Sequence, residues 1–128
     1  MGMYAHGPYV EDMKMTGLLA TCVIEAAGKW GGEDEFQGVE LKDGLLAGGV
    51  VSLKREEVRC VVTLMREKLL DGHAGSCNGW AKSMEPINGH AMPLINLQDI
   101  YRFATDVRNF ELLCTWLNHT EEEEIYWA

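Results

Sequence analysis

His73, Cys77 and His90 fall in one stretch of this chain, with Asp71 just ahead of them. Imidazole, thiolate and carboxylate are the groups that ligate zinc or activate one another for nucleophilic attack. A structural zinc site draws its ligands in close pairs, because a short spacing aims two side chains at one ion. His73 and Cys77 have such a spacing, but no second pair follows them. Neither a metal nor a cofactor is therefore expected. A dyad of Cys77 with His90 or His73, in which a nearby imidazole lowers the thiol pKa, is the nucleophile that this stretch offers.

Gly75-Ser76-Cys77-Asn78-Gly79-Trp80 resembles the Gly-Ser-Cys segment of papain-like proteases over six residues. The Cys-Gly that precedes it in that family is missing here. The family's His and Asn would lie ~130 residues downstream, beyond the length of this chain. Glu25 is a second candidate, as the one charge within the apolar run Leu18–Ala27. A buried carboxylate with a raised pKa suits acid–base work, whereas one paired with Arg55, Arg59 or Arg66 is structural. Gly28-Lys29-Trp30-Gly31-Gly32 closes a helical pattern instead of opening one, so it does not form a phosphate cradle.

The surface carries more information than these constellations do. Net charge is −9 in 128 residues, and four of the acids stand together as Glu121–Glu124. Phosphate backbones demand a basic surface, so direct nucleic-acid binding is not expected. A protein with a basic surface is, because opposite charge speeds encounter. Tyr126 and Trp127 follow the acidic block, and Leu112 and Trp116 precede it. Aromatics beside charge combine anchoring with steering, which marks these residues as a partner-binding surface. Arg55, Arg59 and Arg66 lie within about 40° on one helix and form a basic stripe for an anion or an acidic segment.

The elements that must hold these residues read as mainly helical. A helix is expected over Val10–Ala27, starting as late as Thr16 if Gly17 weakens its first part. Val39–Val51 fits a β-hairpin about Asp43-Gly44, with a short helix at 43–48 as the competitor. Ser52 is read as the N-cap of a second helix that ends at Asp71 and Gly72. Residues 72–96 show no period and read as an irregular loop with a short turn at 80–84. Asn96 caps the last helix, whose seam is Ile100, Phe103, Val107, Phe110, Cys114 and Leu117, with a break at Arg108-Asn109. Thr120–Ala128 reads as an acidic tail that can be deleted without loss of the fold.

These readings predict one mainly α domain over 1–128, a compact bundle of three or four helices with one short β-hairpin near 39–51. The longest apolar runs, Met15–Ile24 and Gly44–Leu53, fall short of the ~18 residues a membrane span needs. The N-terminus lacks the apolar stretch of a signal peptide. Four scattered cysteines fit a reducing cytoplasm. The expected function is that of a small, acidic protein-binding module, an inhibitor or adaptor of a larger protein machine, with nucleic-acid-handling machines among the candidates, and not an enzyme. The alternatives are a small enzyme or ligand binder built on His73, Cys77, His90 and Glu25, and a helical homodimer joined through the last helix.

Overall fold

The computed structural model describes the backbone of residues 2–28, 36, 38–83, 85–87, 90–92 and 97–128, and the side chains of these outside 72–100. Asn96, expected as a cap, and the acidic triplet Glu33-Asp34-Glu35 lie outside the described residues.

The N-terminal segment does not extend the first helix. Tyr9 and Asp12 adopt positive φ, which breaks helical continuation. Residues 3–5 instead run against 12–15, with Ala5 N–H donating to Met13 O and Met15 N–H to Met3 O. Strand β1 (Ala5–His6) comes from this segment. The later of the two expected helix starts holds: α1 spans Gly17–Ala26, and the Thr16 hydroxyl accepts from Leu19 N–H as its N-cap. Leu19, Cys22, Val23 and Ala26 are buried along it.

The stretch 39–51 folds as strands. β2 (Glu40–Lys42) pairs antiparallel with β3 (Leu45–Ala47) around Asp43-Gly44. Asp43 at φ 54 and Gly44 at φ 76 supply the two left-handed residues that a tight hairpin needs. Gly38 is required for a different reason: Ser52 N–H donates to its carbonyl, and a Cβ there would overlap the Ser52 carbonyl oxygen.

Ser52 is not a helix cap. It lies within β4 (Val51–Lys54), whose alternation buries Val51 and Leu53 and leaves Lys54 outside. Helix α2 (Arg55–Ser83) starts two residues later than expected and continues past Gly72. Its start is a capping arrangement in which Glu57 reaches back to accept from Lys54 N–H at 2.8 Å. Where the expected irregular loop over 72–96 is described, it is instead the last part of α2 and a pairing of β5 (Glu85–Ile87) with β6 (His90–Met92). Helix α3 (Leu97–His119) then runs through Arg108-Asn109 without a break.

Strand β7 (Glu124–Trp127) makes the largest correction, because the expected tail is the middle of a sheet. β7 pairs antiparallel with β1 on one side and β4 on the other. Ala5, Val51, Leu53, Ile125 and Trp127 point inward, where α1, α2 and α3 bring Leu19, Met65, Leu113 and Trp116 to meet them. Three helices, a three-stranded sheet and two hairpins among the described residues make a mixed α and β fold. This overturns the expected helical bundle and its all-α class. Single short strands of alternating pattern carry too weak a periodic signal to compete with the long helices in a sequence reading.

Candidate functional site: the C-terminal segment and the adjoining cleft

The structure divides the expected partner surface. Trp116 and Trp127 each have 0% exposure, so neither presents surface to a partner. Both anchor the core, and their indole N–H groups are buried without a hydrogen-bond partner. Glu121–Glu124 are exposed, as is Tyr126 at 44%. Leu112 is half-buried and lines a cleft described below.

Arg55 explains how the segment between α3 and β7 is held. The last carbonyls of a helix have no partner within it. The Arg55 guanidinium donates to Leu117 O at 2.6 Å and to Thr120 O and Glu122 O at 2.9 Å. It also stands 4.9 Å from the Trp116 ring centroid, a cation–π geometry. The basic stripe is accordingly divided. Arg55 is committed to backbone carbonyls, Arg59 pairs with Glu56 at 2.6 Å on the surface, and Arg66 is exposed.

The outward face of the three-stranded sheet follows from its two-residue period. Tyr4, His6, Tyr126, Glu124, Ser52 and Lys54 alternate with the buried set. His6 stacks on Tyr126 with ring centroids 4.9 Å apart, and its Nδ1 lies 3.4 Å from Glu11 Oε1. Ser52 Oγ donates to Glu124 Oε2 at 3.1 Å. Tyr4 and Tyr9 are exposed, and Tyr9 lies 6.1 Å from the His119 ring. The result is an aromatic sheet surface bordered by an acidic run.

A cleft of about 810 Å³ opens between residues 11–18 and the 101–112 part of α3. Its inner groups are Thr16, Asp106 and Asn109. The Thr16 hydroxyl donates to the Asp106 carboxylate while capping α1, which ties the two elements together. Asn109, buried, donates from Nδ2 to Lys14 O at 3.3 Å. Burial pushes the Asp106 carboxyl above the usual range against the opposing bond from Thr16, and its Oδ1 is buried without a partner. Asp106 was missed in the sequence because the apolar seam, one position along the helix, was the stronger pattern. The signal was present, since Asp106, Asn109, Leu113 and Trp116 repeat at the same alternating spacing of three and four residues.

The other expected chemical groups are placed as follows. Glu25 is exposed and pairs with Lys68 at 3.0 Å, so it is not a buried acid, and its partner is none of the three arginines. The hydrogen bond to Glu25 raises the Lys68 pKa. Desolvation pushes the buried Cys22 thiol up to about 11, which keeps it protonated and inert at neutral pH. Burial also raises Cys114. His73 and Cys77 fall in α2, and His90 pairs in register with Ile87, but their side chains lie outside the described residues. Among the described residues no three His, Cys, Asp or Glu side chains form a metal-ligating group. No described helix is long and apolar enough to cross a membrane.

No family model, curated protein or solved structure matches this chain.

Proposed function

We propose that the chain is a protein-binding module whose contact surface is the outward face of the three-stranded sheet and its acidic border. The observation that carries this reading is the side-by-side display of exposed Tyr126, stacked His6 and Tyr4 next to Glu121–Glu124. Tyrosine supplies contact area at small entropic cost and is enriched at interfaces. A run of four carboxylates selects a partner of opposite charge and speeds its approach. The partner is therefore a protein with a basic surface, and this chain acts on it as an inhibitor or adaptor. Proteins that handle nucleic acids carry such surfaces by necessity, and the cytoplasm, where the thiols stay reduced, is the compartment this reading expects.

Support also comes from the division of labour in the C-terminal segment. The tryptophans stabilise the fold from inside, whereas Glu124 and Tyr126 make their contacts, to Ser52 and His6, at the exposed surface. Affinity capture from the native host with the intact chain, in parallel with a Tyr126→Ala, Tyr4→Ala double variant, tests the reading. Capture of one basic protein by the parent and its loss in the variant is the expected result. Equal capture by both would remove the sheet face from consideration.

A further inference from the structure

We infer that the outward face of the three-stranded sheet recognises arginine: a partner's guanidinium stacks on the open side of the Tyr126 ring and donates to the Glu124 carboxylate. This rests on the reading of that face as a contact surface and names what the face takes. Tyr126 stands in the central strand, opposite His6 of β1 and Ser52 of β4. Its two ring faces therefore meet different neighbours. The His6 ring covers one, stacked at 4.9 Å and 21°. On the other side stands Ser52, too short to cover a phenol ring, and Tyr126 is 44% exposed. Ser52 also fixes the carboxylate, because its Oγ donates to Glu124 Oε2 at 3.1 Å. An open aromatic face and an exposed, oriented carboxylate thus lie together on the Ser52 side of the strand.

Carboxylates alone would attract any cation, and the ring selects among them. Guanidinium is planar and weakly hydrated, so it lies flat on an aromatic ring while its edge N–H groups stay directed at an acceptor. An ammonium is a compact, strongly hydrated point charge without that planar fit. The chain uses the same pair of contacts internally, where the Arg55 guanidinium stands 4.9 Å from the Trp116 ring centroid and donates to backbone carbonyls. Lys54 lies opposite Glu124 in register yet forms no ion pair with it among the described residues, which leaves that carboxylate to an incoming cation. Glu121–Glu123, exposed just ahead of β7, draw positive charge toward the face. The occupant is therefore an arginine-bearing segment of a protein, in preference to a lysine-rich one.

The experiment is an NMR titration of the ¹⁵N-labelled full chain with acetyl-triarginine amide, and separately with acetyl-trilysine amide, which carries the same charge without the planar group. Saturable shifts at His6, Ser52, Glu124 and Tyr126 are expected with the arginine peptide, together with an upfield ring-current shift of its side-chain methylenes. It should bind about threefold more tightly than the lysine peptide, the size of an exposed cation–π contact. Tyr126→Phe should keep that preference and Tyr126→Ala should lose it. Absence of saturable shifts at these residues up to tens of millimolar, or equal binding of the two peptides to the parent chain, overturns the proposal. Because that comparison uses the parent protein, it stands even if Tyr126→Ala fails to fold. It also needs no host protein: capture through the sheet face combined with equal peptide binding would keep the contact surface and strike arginine as what it takes.

Discussion

Ile125 and Trp127 point into the core without exposed surface, while Glu124 and Tyr126, alternating with them on the same strand, face solvent. On the inner side β7 is held by packing against Leu53, Val51 and the helices, and on both edges by antiparallel pairing. On the outer side it carries a stacked His6–Tyr126 pair and a carboxylate bonded to Ser52. The contrast teaches that one four-residue segment serves two ends. Its inner residues make the fold, and its outer residues stand where a partner can reach them. The cleft offers a third situation, in which a polar group is inside and not fully satisfied.

The largest effect is expected from the inner face. Trp127→Ala should destabilise the chain by about 3–5 kcal/mol, the usual cost of deleting a buried aromatic side chain. Truncation after Thr120 should unfold it altogether, since β1 and β4 lose the strand that joins them. Urea denaturation followed by circular dichroism measures both. A truncated chain with native stability would show that β7 is an appendage after all.

Arg55→Ala comes next, with an expected loss of about 2–3 kcal/mol. Three carbonyl oxygens and the face of Trp116 lose their donor together. Arg59→Ala, which breaks an exposed pair with Glu56, should cost under about 1 kcal/mol. Similar losses in the two variants would deny Arg55 its role as the clamp between α2 and the C-terminal segment.

A smaller effect concerns the two carboxylates whose folded pKa lies above the ordinary value. Burial raises both Glu57, near the start of α2, and Asp106, on the cleft floor. A folded state with the higher pKa binds more protons than the unfolded chain across the interval between the two values. The contribution of each group is thus greatest below its unfolded pKa and is lost as pH rises through the folded one. Glu57→Gln and Asp106→Asn should each gain stability relative to the parent as pH is raised from about 4 to 7. Parallel urea titrations across that range check the sign, and a parent that gains on either variant with rising pH would reverse it. Glu57→Gln keeps an oxygen for Lys54 N–H, so the cap itself survives the substitution.

The parts of the fold legible in the sequence were those with a strong local signal. Asp43-Gly44 between two short apolar runs announced its hairpin, and Gly17 within the helical pattern of Val10–Ala27 pointed to the later start of α1 at Thr16. β4 was hidden because Ser52 before a charged, helix-forming run looks like a cap, and only the distant partner β7 makes it a strand. β7 itself, four glutamates followed by aromatics, reads as a solvated end until β1 and β4 flank it. On α3 the strongest apolar seam was Phe103, Val107, Phe110, Cys114 and Leu117, yet all five are only partly buried. Among the described side chains of α3 the buried positions are Asn109, Leu113 and Trp116, a row that the polar Asp106 and Asn109 disguised. Of the proposed contact surface, the acidic run and Tyr126 could be named from the sequence. His6 and Tyr4 could not, since nothing local places the N-terminus beside the C-terminus.

The smallest effect on stability belongs to the outer face, and it is also where the account is most exposed to test. A variant combining Tyr126→Ala with Glu121, Glu122 and Glu123 changed to Gln should keep its unfolding free energy within about 0.5 kcal/mol for each exposed site. The decisive measurement is capture of a basic protein from the native host by this variant and by the parent, with stability recorded for both. The account predicts an intact fold and lost capture. An intact fold with undiminished capture would contradict it.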